Sequence, residues 1–280
     1  MRRFARCAGL LAAAIAGNTW ALELNLDSLT KGIEKLQYAT GNVPRKKEIQ
    51  LGEELSAGLL GAVKLVDDAE VHSYVNHLGR WLAEQTSRNN KKWPWRFGVL
   101  DTDTVNAFAA PGGHVFVTRG LFVLLENEAE LAGVLAHEMG HVLEKHHLGA
   151  IQKSTQGEVF QELLVKSTKK NRAALKTLMG AGMQLYSRGL ERDDEYAADR
   201  LGVVIAARAG YDPFALLDVL TTVDSLDPHD PNLTLMFSTH PPTGERLARL
   251  DRAMEGKLDK YASPSTDADR FLNIRNKLLN

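Results

Sequence analysis

His137, Glu138 and His141 stand in the run HEMGH, and their types and spacing suit metal-assisted hydrolysis. On an α-helix, residues four apart project from the same face, so two imidazoles at this spacing can share one zinc ion. Glu138 then sits beside them as a candidate general base. This is the H-E-x-x-H pattern of metal-dependent peptide hydrolysis. The bare pattern also fits an ordinary polar helix face, so the surrounding residues must decide.

Those residues predict a buried helix. Asn127 and Glu130 resemble a capping box, and Leu131, Val134, Leu135, Val142 and Leu143 recur at helical spacing. A helix is expected from about Glu128 to His147. Its apolar stripe implies burial, and buried His and Glu side chains need partners, which a metal would supply.

A catalytic zinc usually takes three protein ligands and keeps one open position. Two readings compete for the third ligand. In one it is Glu195, with Asp199 four residues later on the same face, placed to hold a ligating imidazole. In the other it is His147, the last position of the longer pattern H-E-x-x-H-x-x-G-x-x-H. That pattern turns the chain at a glycine, and Glu144 stands there instead. Without a turn, His147 would lie roughly 15 Å along the axis from His137, which favours Glu195.

The elements that must position these residues fit a globular enzyme. The chain has 280 residues, 44% hydrophobic and 25% charged, enough to bury a sizeable core in one domain. Arg2, Arg3 and Arg6 precede an uncharged apolar run from Cys7 to Leu22, with Thr19 and Ala21 at the −3 and −1 positions of a cleavage site. Residues 1–21 therefore read as a secretory signal peptide. The run is short of the roughly 20 apolar residues a membrane anchor needs. Cleavage would remove Cys7, the only cysteine, and take 34 basic residues to 31 against 35 acidic ones. No basic footprint asks for nucleic acid, and no later segment is apolar and long enough to span a bilayer.

Along the chain, Arg45 to Val66 and a stretch starting near Asp68 read as helices. Trp95–Leu100, Val105–Ala109 and His114–Thr118, broken by turn residues such as Pro111-Gly112-Gly113, predict a small antiparallel sheet before the zinc helix. Its edge would suit an extended peptide adding by backbone hydrogen bonds, though an ordinary packing meander fits equally. Leu148–Gly189 carries Lys166, Lys169, Lys170 and Arg172 and reads as flanking helices, either a lid or a solvated charged face. Further helices are expected over Leu190–Ala209, from Asp212-Pro213 to about Leu226, from near Gly244, and after a polar break at Ser263–Asp269. The fold class is therefore α+β, mainly α-helical.

The segments VNAFAAPGGHVFVTRGL, HEMGHVLEKHH, ERDDEYAADRLG and STHPPTGERL, in this order, resemble the bacterial HtpX/BepA/LoiP-type zinc metallopeptidases, relatives of the CAAX prenyl and Oma proteases. The resemblance covers about residues 48–252. It implies a gluzincin fold in a single catalytic domain, residues 22–280, with His137, His141 and Glu195 as ligands of one zinc and Glu138 as the base. By the same resemblance His240 either donates to the transition state or blocks the zinc as a fourth ligand, with Arg246 in support. Asn106 and Ala107 match a substrate-strand motif, and His114 lies in the same stretch.

The resemblance further implies a periplasmic endopeptidase that cleaves unfolded or misassembled envelope proteins, with peripheral contact with the envelope compatible. The competing reading is a latent zinc protein that only holds client polypeptides. His146 matches a frequent family histidine but would equally cap the helix C-terminus. His72, His77 and His229 read as surface or structural histidines, and Trp81, Trp93 and Trp95 as packing residues.

Overall fold

The helix that carries HEMGH is buried on almost every face, from Glu128 to Val142, so the rest of the protein is arranged around it. A computed structural model describes residues 43–87, 93–154, 190–227, 229–240, 243–262 and 268–279. The expected signal peptide, and the four basic residues of the expected lid, lie outside the described residues.

Two helices open the described chain, α1 (Arg45–Ala62) and α2 (Ala69–Glu84). Asp68 caps α2, its carboxylate accepting from the backbone N–H groups of Glu70 and Val71, and Lys277 lies near that carboxylate. Three strands follow, β1 (Arg96–Leu100), β2 (Ala107–Ala110) and β3 (His114–Thr118). Then come α3 (Arg119–Leu124), the HEMGH helix α4 (Glu128–Leu143) and α5 (His146–Ser154). The second site helix is α6 (Arg192–Ala209), followed by α7 (Ala215–Asp224), α8 (Thr234–Thr239), α9 (Thr243–Met254) and α10 (Ala268–Lys277).

The sheet is mixed, which corrects the expected antiparallel arrangement. Its order is β1-β3-β2; β3 pairs antiparallel with β2, Ala110 opposite His114, and parallel with β1, Arg96 opposite His114. Every residue of β3 is buried, as suits a central strand. The β2–β3 hairpin turns on Gly112 and Gly113, with φ of 84° and 100°, a region that glycine enters without steric cost. Alternation in the sequence locates strands but carries no information about which strand inserts between two others.

The main core joins α2, the sheet and α4, through residues such as Val75, Leu78, Val99, Val117, Leu131 and Leu135. A smaller cluster, Val203, Leu216, Leu220, Leu250 and Met254, seats α9 on α6 and α7. Helix α10 is fastened to the start of α4. Phe271 stacks on Phe122 with ring centroids 5.3 Å apart, and Arg270 donates to the buried Glu128 carboxylate, which also accepts from Tyr74 and Tyr211.

The start of α4 follows expectation with one change. Asn127 caps Glu130 N at 3.0 Å, but the Glu130 carboxylate returns to the N–H of Glu126 and to the Asn127 amide, not to the cap residue's own N–H. The end of α4 does not follow expectation. The helix stops at Leu143, Lys145 takes φ 61°, and a new helix begins at His146. His147 is therefore not 15 Å along a continuous axis; its ring lies 5.1 Å from that of His141. A short helix, α8, also lies between the helices expected to end near Leu226 and to begin near Gly244.

Candidate metal centre

Helix α4 presents His137 and His141 on one face, and α6 crosses close against it to present Glu195 and Asp199. Two small residues permit this approach. A Cβ on Gly202 would stand 2.8 Å from the backbone N of His137, and one on Gly140 would meet Ala198 at 3.0 Å. Helix α6 begins at a reciprocal capping box between Glu191 and Asp194 and ends at Gly210 with φ 90°, so its register against α4 is set at both ends.

His137, His141, Glu195 and His240 each bring one donor atom into a group whose members lie within 4.8 Å of one another, all buried. The Nε2 atoms of His137 and His141 are 3.0 Å apart. Glu195 stands 3.4 Å from His141 Nε2 and 3.7 Å from His137 Nε2. His147, although beside His141, is not in this group.

The outer contacts explain why these donors suit a cation. Asp199 Oδ1 lies 2.9 Å from His137 Nδ1; a carboxylate on that side of the ring favours the tautomer whose lone pair is on Nε2. Burial drives the His141 pKa well below its ordinary value, which favours a neutral ring there. Two imidazole nitrogens facing each other beside a buried carboxylate fit a divalent cation of the zinc type. Burial would raise the Glu195 pKa, but the facing His240 and Arg246 charges overcome it and bring it down to about 2.

Arg246, on α9, ties the carboxylates together. Its Nε and one terminal nitrogen donate to Asp199 at 2.9 and 2.6 Å, and the other terminal nitrogen lies 3.0 Å from Glu195. Burial alone would weaken both charges, yet the pairing holds Asp199 below the ordinary carboxylate range and Arg246 above its own. Arg246 thus reaches His240 through Glu195, since His240 Nδ1 is 3.1 Å from Glu195 Oε2.

Glu138 is 1% exposed. Its Oε2 has no hydrogen-bond partner among the described residues, and its Oε1 lies 3.6 Å from His240 Nε2. Burial raises its pKa, so the carboxylate is a ready proton acceptor.

The remaining expected residues lie nearby with different surroundings. Asn106 is fully buried; its backbone is pinned by Thr118, its side-chain oxygen accepts from Ala107 N, and Thr239 Oγ1 stands 3.4 Å from that oxygen. This links the edge strand β2, which starts at Ala107, to the residue before His240. His114 sits in the central strand, its Nδ1 near Gly52 of α1, outside the donor group. His72 and His77 bond backbone carbonyls within α2 and its lead-in. Trp95 stacks on Phe97, whereas Trp81 is half exposed and donates to Ala209 O.

Sequence reasoning did not find Glu48, Lys145 or the contact of His146. The fully buried Glu48 pairs with Lys145 Nζ at 2.8 Å. His146, which starts α5 and does not cap α4, puts Nδ1 3.0 Å from His141 Nδ1. A lysine at positive φ has no local sequence signal.

Two histidines from one helix, a glutamate from a second, and a buried glutamate next to the first histidine define a metallopeptidase site of the gluzincin type. Residues 67–254 match the peptidase family M48, and the chain belongs to that family. It is 31% identical over 212 residues to the beta-barrel assembly-enhancing protease of Escherichia coli (strain K12), covering 72% of this chain and 42% of that protein. The Yersinia pestis protein of the same name is 30% identical over 240 residues, 82% and 48% of the two chains. The mitochondrial metalloendopeptidase OMA1 of Schizosaccharomyces pombe is 28% identical over 158 residues, 56% and 46% of the two chains. The chain thus spans less than half the length of these curated relatives.

Proposed function

We propose that this protein is a zinc-dependent endopeptidase of the periplasm that hydrolyses peptide bonds in unfolded or misassembled envelope proteins. The observation that carries the chemistry is the buried Glu138 carboxylate, one oxygen of which has no hydrogen-bond partner among the described residues, beside the convergent nitrogens of His137 and His141. When bound, zinc supplies Lewis acidity and lowers the pKa of a coordinated water towards about 7. Glu138 takes the proton from the attacking water and passes it to the leaving amine. Asp199 holds the His137 ring in its ligating tautomer, and Arg246 keeps Asp199 and Glu195 both ionised. The edge strand β2 offers backbone groups along which an extended, unfolded segment can add.

The envelope setting rests on the relatives and on the N-terminal sequence. Among the described residues no helix is long and apolar enough to cross a membrane, and nothing calls for nucleic acid; peripheral contact with the envelope is compatible with both. The bacterial relatives are beta-barrel assembly-enhancing proteases by name, which supports the assembly of beta-barrel proteins as the process served.

A second reading, a latent zinc protein that holds client polypeptides, is favoured by one contact: His240 lies in the donor group and against Glu195. Incubation of the purified protein with an unfolded casein, with and without a chelator, separates the two. Chelator-sensitive cleavage supports the peptidase, and binding without cleavage supports the holder.

A further inference from the structure

We propose that His146 is a positioning residue for the metal centre: it accepts the Nδ1–H of His141 and so fixes that ligand in the tautomer whose Nε2 lone pair faces the metal. The inference rests on the reading of His137, His141 and Glu195 as ligands.

The backbone delivers His146 to this place. Five residues along a continuous helix, it would point well away from His141. Instead α4 ends, Lys145 adopts φ 61°, and the chain folds back so that the His146 and His141 rings lie 5.1 Å apart, their planes at 73°. A non-glycine residue at positive φ persists only where its surroundings hold it. Here the Lys145 side chain crosses to the buried Glu48 of α1.

The hydrogen-bond logic follows from which atoms meet. His141 Nδ1 and His146 Nδ1 are 3.0 Å apart, and only one of them can carry the proton between them. The far nitrogen of His146, Nε2, faces Asp194 Oδ1 at 3.6 Å, which favours the proton on that side. His146 Nδ1 is then the acceptor, His141 Nδ1–H the donor, and His141 Nε2 is free to ligate. The two ligating imidazoles thus have separate outer partners, Asp199 for His137 and His146 for His141. An outer partner of this kind orients the ring and raises its basicity.

The test is zinc affinity, measured by competition with a chromophoric chelator, in the full-length protein and three variants. Asparagine places its side-chain oxygen near the Nδ1 position, whereas glutamine overshoots it and leucine has no acceptor. His146→Leu and His146→Gln should bind zinc about 10–100-fold more weakly than wild type, with His146→Asn close to wild type. Melting of the zinc-free proteins separates fold stability from affinity. Equal affinity in all three variants and wild type overturns the inference, as does an equal loss in the asparagine and glutamine proteins. Failure of the wild type itself to bind zinc overturns the ligand reading instead. Should the leucine protein not fold, the asparagine–glutamine contrast decides alone.

Discussion

Gly202 of α6 lies so close to His137 of α4 that a Cβ added to it would stand 2.8 Å from the His137 backbone N and 2.9 Å from its Cα. The glycine is three residues after Asp199, and its missing side chain lets Asp199 and Glu195 reach the histidines across the helix pair.

Gly202→Ala should therefore destabilise the protein despite alanine's better helix propensity. The propensity gain is about 1 kcal/mol, whereas overpacking against rigid backbone costs about 1–3 kcal/mol. A lower denaturation midpoint and weaker zinc binding are expected together. A variant more stable than wild type would show that the helices have room to separate.

Glu138→Gln keeps size and hydrogen bonding but removes proton abstraction. Turnover on unfolded casein should fall roughly 10²–10⁴-fold while zinc content stays at wild-type level. Full activity in a purified, metal-loaded variant would remove Glu138 from the mechanism.

Glu195→Ala should lose most of the zinc, whereas His147→Ala should keep it, since only Glu195 stands in the donor group. Asp199→Ala should weaken affinity by about 10–100-fold. Metal stoichiometry in the purified variants checks this, and the reverse pattern would make His147 the third ligand.

His240→Ala addresses latency. If His240 gates the zinc, its removal opens a position at the metal, and basal cleavage of unfolded protein should rise. We expect that rise, because His240 already packs into the donor group against Glu195. A fall of around 10²–10³-fold with zinc retained would assign His240 to transition-state donation.

Glu48→Gln should change the pH dependence of stability in the zinc-free protein. Burial raises the Glu48 pKa above its ordinary 4.5, opposed by Lys145. Its favourable contribution is therefore present below about pH 4.5 and lost as pH rises through the folded value. The variant should gain on wild type as pH rises from 4 towards 8, read by urea unfolding at each pH. A pH-independent difference would contradict this.

The grouping of the candidate ligands was legible in the sequence because it is local in two pieces. Four-residue spacing places His137 with His141, and Glu195 with Asp199, whatever surrounds them, and the helix signals at Asn127, Asp68 and Gly210 mark elements that form much as expected. That Glu195 and not His147 joins the pair was also readable, although the distance given for it was wrong: the chain turns at Lys145, and His147 packs beside His141.

The tertiary structure alone decided what depends on partners distant in the chain. The parallel pairing of β1 with β3 follows from insertion of β3 between strands, which period-two alternation does not encode. The positive φ of Lys145 is held by Glu48, nearly a hundred residues earlier, so no neighbouring residue announces it. Arg246 was expected beside His240, but burial demands a partner for its charge, and the two carboxylates of α6 provide it. Residue types and helical spacing fix which side chains share a face; what meets that face is fixed only when the core closes over it.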